Sequence, residues 1–138
     1  MRRVIIQSPY AAGNLEGVKT NVTYARECLQ HSLDLGEAPF ASHLLYPQVL
    51  DEATGRDRGL QAEAEWMQAA DLVAFYTDRG WSPGMIRALK ITRTILNKPL
   101  AVRQFYSRDR VREPLDVKEL LTHIAASGLR VYYFGDET

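Results

Sequence analysis

The stretch Ser82-Pro83-Gly84-Met85 places a capping hydroxyl, a first-turn proline and a glycine at what reads as a helix start. Backbone N–H groups left free at such a start attract phosphate or carboxylate, and Gly84 lets a ligand approach the backbone closely beside Met85. The same residues equally describe an ordinary capped helix. Asp78 follows an apolar run directly. It is a candidate acceptor for sugar hydroxyls and a candidate catalytic carboxylate that positions water; a turn or cap is its other reading. Ser8-Pro9-Tyr10 ends an earlier apolar run, where Tyr10 is suited to stacking on a base or to packing at a loop edge. His43 sits at the end of another run and reads more readily as a partly buried packing histidine than as a catalyst. Asn21 and Tyr24 lie in the following helix, close enough to turn toward the Ser8 loop or to face solvent.

Several chemistries lack their signatures. Ser8, Ser82 and Cys28 have no local activating partner, and no Gly-x-Ser-x-Gly elbow occurs. Neither a Walker-type loop nor a Gly-x-Gly-x-x-Gly fingerprint is present, which argues against ordinary ATPase and dehydrogenase roles. One cysteine cannot close an internal disulfide, and nothing has metal-ligand spacing, so neither metal nor cofactor is expected. Arg103, Arg108, Arg110 and Arg112 read as a solvated surface in preference to a ligand clamp.

The elements that must position these residues follow from apolar patterning. Buried strands are predicted at residues 4–7, 71–77 and 99–104, with less regular ones at 39–46 and 129–134. Val18, Val22, Ala25, Leu29 and Leu33 recur at helical spacing, and Gly36 is placed to end that helix. Further helices are expected from about 57 to 69 with Met67 inward, from Ser82 onward, and over 115–126. Residues 51–58 read as a surface connection. Continuous apolar strands alternating with helices imply one doubly wound parallel sheet of about five strands, in flavodoxin-like order 2-1-3-4-5, spanning 1–138 as one domain. Ligands of such sheets bind beyond the carboxyl ends of the strands, where the candidates cluster.

Composition fits a cytoplasmic globular domain: 138 residues, 46% apolar, 25% charged, with seventeen basic residues balancing seventeen acidic ones. Zero net charge gives no broad attraction for a nucleic-acid backbone or an anionic membrane, and leaves room for a local patch. The basic N-terminus has too short an apolar run for a signal sequence, and no stretch approaches a membrane span. The expected partner is a small nucleoside or nucleotide, with no nucleic-acid polymer.

Taken in order, Ser8-Pro9-Tyr10, Asn21-x-x-Tyr24-Ala25, Ala41-Ser42-His43-Leu44 through Pro47, Ala70-Asp71-Leu72 and Gly80-x-Ser82-x-Gly84-Met85 resemble the nucleoside 2-deoxyribosyltransferase-like proteins, especially small, often phage-associated relatives. The resemblance spans roughly Arg3 to Gln104. It implies a flavodoxin-like subunit that binds a nucleoside or nucleotide and acts on its N-glycosidic bond, a homo-oligomer, and a glutamate nucleophile four residues after Gly84. That position is Ala88. A family aspartate two residues before the glycine is Ser82, and a second carboxylate falls on Glu63, which also reads as an exposed helix charge. With alanine at the nucleophile's place the covalent base exchange has no attacking group.

Two functions follow. One is nucleoside or nucleotide binding, with hydrolysis of an N-glycosidic bond through Asp78 or Glu63. The alternative is an oligomeric assembly protein with a vestigial pocket, burying faces that carry Trp66, Trp81 or Tyr106. The first requires an open crevice joining Tyr10, Asp78 and Ser82; the second requires it filled.

Overall fold

A computed structural model describes residues 1–106 and 110–112. The elements run β1 (Arg3–Gln7), α1 (Leu15–Asp34), β2 (Ala38–Phe40), α2 (Glu52–Ala69), β3 (Leu72–Tyr76), α3 (Pro83–Ile91), β4 (Leu100–Gln104) and β5 (Arg110–Arg112). The sheet order is β2-β1-β3-β4-β5. The first four strands are parallel, with Val4 opposite both Pro39 and Leu72, and Val73 opposite Leu100. This is the predicted 2-1-3-4 order. Beside β4 lies a short strand that the sequence pattern did not announce: β5, over Arg110–Arg112, pairs antiparallel with it. The strand and helix predicted at 129–134 and 115–126 lie outside the described residues, as does Arg108.

Strand periodicity divides the core. Ile5, Val73 and Phe75 face α2 and α3 together with Met67, Trp81, Met85 and Leu89. Val4, Ile6, Ala74 and Tyr76 face α1 through Tyr24 and Cys28. Burial of both faces explains why β3, Leu-Val-Ala-Phe-Tyr, shows no alternation. Trp81, expected at an exposed face, is buried against Phe75.

Three local expectations need correction. The inward face of α1 carries Gly17, Asn21, Tyr24, Ala25, Cys28 and Ser32, whereas Leu33 is exposed. Internal acceptors rotate the helix this way: Asn21 Nδ2 donates to the Tyr10 carbonyl and Ser32 Oγ to Glu37. Gly36, at φ 81°, ends the helix as predicted. The strand predicted over 39–46 is only β2; the chain then makes two 3₁₀ turns, Ser42–Leu44 and Tyr46–Gln48. Residues 51–58 are not a loop. Asp51 caps α2 by accepting from Ala53 N, and a Cβ on Gly55 would lie 3.0 Å from Leu50 Cβ. Two helical glycines, each costing about 1 kcal/mol in propensity, let α2 press against the 46–50 turn.

Candidate functional site

The carboxyl ends of β1 and β3, the 42–47 turns and the first turns of α2 enclose a crevice. Gln7, Tyr10, Ser42, His43, Tyr46, Arg56, Glu63, Ser82 and Gly84 line it. At its floor Glu63, on α2, is buried and ligated on both oxygens. Gln7 Nε2 donates to Oε1 at 2.7 Å, and Ser42 Oγ donates to Oε2. A carboxylate accepts about four hydrogen bonds, so roughly half its acceptor capacity is left for a ligand or water. Gln7 owes its place to strand alternation: it shares the face of Ile5 at the strand end, where a polar side chain meets the crevice. At the mouth the Tyr10 and His43 rings lie 5.2 Å apart, tilted by 42°.

A groove between α2 and α3 adjoins the crevice and shares Leu60, Glu63 and Gly84 with it. Asp57, Ala64, Met67, Arg87 and Ala88 complete its lining. The crevice holds about 80 Å³ and the groove about 350 Å³. Small-molecule sites run to roughly 300–1,000 Å³, so the crevice alone takes a small group and the pair takes a whole ligand. Ala88 and Glu63 therefore face one space, and no acidic residue occurs in the sequence between Asp78 and Asp109. α3 offers no carboxylate at position 88 or anywhere else.

The sequence candidates divide. Tyr10, His43, Glu63, Ser82 and Gly84 line the crevice. Ser8 and Pro9 are fully buried beneath it and shape the turn that carries Tyr10. Asn21 does not reach it; the side chain holds the Tyr10 carbonyl from behind. Met85 is core, and its N–H is taken by Ser82 Oγ at 3.2 Å. The expected anion site thus loses one of its two amides to the cap.

Asp78 is not in the crevice. Its Oδ2 accepts from Tyr24 Oη at 2.7 Å, and its Oδ1 accepts from the N–H groups of Phe105 and Tyr106, both at 2.8 Å. The Asp78 N–H donates back to Tyr24 Oη. Burial, joined by the neighbouring Cys28 and Asp78, pushes the Tyr24 phenol far above its ordinary range, which keeps it a neutral donor. Asp78 ties the end of β3 to the turn after β4. Asp78→Ala is accordingly expected to cost about 2–3 kcal/mol, read as a lower urea midpoint, through three donors left without their acceptor. Ligand-induced stabilisation should survive; its loss would return Asp78 to the site.

Arg103, grouped by sequence with solvated arginines, is fully buried and pairs with Glu37. Cys28 is buried too, and burial foremost pushes its thiol well above the ordinary range, so it is no nucleophile. Among the described residues no His, Cys, Asp and Glu group has the makings of a metal site, and no helix is long and apolar enough to cross a membrane. Sequence reasoning missed Gln7, Ser42, Tyr46 and Arg56. The one available signal was Gln7, a polar residue closing an otherwise apolar strand.

Comparison with solved structures gives a 2-deoxyribosyltransferase from the psychrotolerant bacterium Bacillus psychrosaccharolyticus, at TM-score 0.50 and 19% identity, covering 94% of this chain and 98% of that one. Such a likeness establishes a shared fold. No curated protein matches the chain in sequence. The family described as "Domain of unknown function (DUF7768)" matches residues 2–102, and the chain belongs to it.

Proposed function

We propose that the crevice and its adjoining groove bind a nucleoside or nucleotide, and that the one glycosidic chemistry its residues offer is hydrolysis. The observation that carries this reading is Glu63: a buried carboxylate held by Gln7 and Ser42, opening onto a cavity whose mouth is the Tyr10–His43 ring pair. Aromatic rings suit a base, and a fixed carboxylate suits sugar hydroxyls or a water at the anomeric carbon. In that hydrolysis Glu63 takes a proton from water as its oxygen bonds to the anomeric carbon. The carbon–nitrogen bond breaks with its electron pair going to the base, which takes a proton from solvent.

The fold shared with a 2-deoxyribosyltransferase supports the ligand class. The crevice joins Tyr10 and Ser82 but not Asp78, so the expected binding site is met in part; its open space favours binding over the assembly reading, which needs that space filled. The half-exposed Trp66 also has a local role, stacked on Phe40 and donating to Tyr46 Oη at 2.9 Å.

Thermal melts with deoxynucleosides and their 5′-monophosphates test the proposal. A ligand at about a hundred times its Kd should add about 2.7 kcal/mol of stability. The gain is expected to vanish in Tyr10→Ala and Glu63→Gln. If millimolar nucleosides and nucleotides all leave the melting temperature unchanged, the reading falls.

A further inference from the structure

We propose that the outer face of α3, with the π-helical turn that follows it, binds the phosphate backbone of a single-stranded nucleic acid. The proposal concerns a surface outside the crevice and stands whether or not the crevice takes a nucleoside.

The chain as a whole is neutral, yet its charge is unevenly spread. Between Asp78 and the next acidic residue, Asp109, the sequence holds Arg79, Arg87, Lys90, Arg93, Lys98, Arg103 and Arg108, of which Arg103 is paired with Glu37. Arg87, Lys90 and Arg93 are exposed and recur every third residue along α3 and the turn Thr92–Leu96. None of the three has a carboxylate partner among the described residues. A cation in the last turn of a helix complements its dipole, which accounts for Lys90. It does not account for Arg87, in the middle of α3, or for Arg93 beyond its end.

At roughly 3.6 residues per turn, cations three residues apart step round the helix by about 60°, so Arg87, Lys90 and Arg93 fan across its exposed side in an arc that a flexible single strand can follow. Arg87 also lines the groove beside Ala88, so the ridge of charge begins at the rim of that cavity. Single-strandedness is favoured by Ile95. It is 74% exposed between Arg93 and Lys98, an apolar contact for an unpaired base that a duplex would keep stacked inside.

The test is fluorescence anisotropy of a labelled oligothymidylate with the whole chain, over about 50 to 200 mM salt. Binding should weaken with salt. Lys90→Glu with Arg93→Glu should weaken it about tenfold or more and flatten the log–log salt slope by about 1.4, near 0.7 for each phosphate that no longer meets a cation. Lys19→Glu with Arg26→Glu changes net charge equally on exposed positions of α1, across the sheet, and should leave affinity within about twofold. Melting temperatures confirm that both variants fold. The proposal is overturned if the oligonucleotide fails to bind at the lowest salt, or if the α1 variant loses as much as the α3 variant. Equal binding of a duplex, or equal competition by polyglutamate, also overturns it. Binding of the oligonucleotide with no response to mononucleotides would support this surface and count against the crevice.

Discussion

Replacing Arg103 by methionine is expected to lower stability by about 3–5 kcal/mol, a large share of what holds a domain of this size together. Arg103 lies on β4 with no exposed surface. Its Nη1 and Nη2 donate to the two oxygens of Glu37 at 2.7 and 2.8 Å, and Nη1 also donates to Tyr76 Oη at 3.1 Å. Glu37 is completed by Ser32 Oγ and by Arg2, each at 2.7 Å. The pair links the start of β2 to β4 across the face covered by α1. Removing the arginine strands a buried carboxylate with only the half-exposed Arg2 as counter-charge. Urea unfolding at unchanged slope should report the loss, and the double variant Arg103→Met, Glu37→Met should recover most of it, because no uncompensated charge then stays inside. A loss below about 1 kcal/mol in the single variant would mean that water reaches the pair.

The same network sets a pH dependence. Burial alone would raise the Glu37 carboxyl, but hydrogen bonds from Arg103 and Ser32 and the nearby positive charges hold it below its ordinary value near 4.5. The unfolded chain therefore takes up this proton first on acidification. Stability from ionised Glu37 is complete above the ordinary carboxylate range and drains away as pH falls through the lowered folded value. Glu37→Gln should flatten the stability curve in that acid window. An unchanged slope there would assign the acid sensitivity to other carboxylates.

β1, β3 and β4 were legible because strands buried on both faces read as unbroken apolar runs, and parallel order follows from the intervening helices. What misled was polar burial and tertiary contact. Asn21 and Ser32 turn inward on α1 because acceptors wait for them, and no periodicity of apolar residues announces that. The start of α2 hides behind Gly55 and Gly59, which look like loop residues until Leu50 is seen pressed against them. Asp78 follows a strand end as a catalytic residue would, but the partners that fix it, Tyr24 and the Phe105–Tyr106 turn, are far away in sequence. Glu63 stood out only through the family resemblance. Its partners Gln7 and Ser42 come from two other elements and meet only once the sheet has formed.

A mixture of deoxyinosine and adenine is expected to yield no deoxyadenosine with this chain, which would separate it from enzymes that exchange bases. Exchange needs a group that attacks the anomeric carbon and holds the sugar until a second base arrives. The groove where that group would stand presents Ala88, and nothing acidic lies on α3 to replace it. Alanine neither attacks carbon nor steadies the positive charge that grows there as the base departs. Ser82 is no substitute, since its oxygen only accepts the Met85 N–H and among the described residues no group takes its proton. Glu63 faces the same space, but Gln7 and Ser42 restrain it at the crevice floor, an arrangement suited to holding water or a sugar hydroxyl. Hypoxanthine release, counted apart from transfer, should therefore fall at least ~100-fold in Glu63→Gln, the usual scale for a lost general base, and stay level in Asp78→Asn. Chromatography resolves the two products in one run. Deoxyadenosine formed by the unaltered chain and lost in Glu63→Gln would mean that Glu63 itself attacks the sugar, and the assignment of water as its nucleophile would fail.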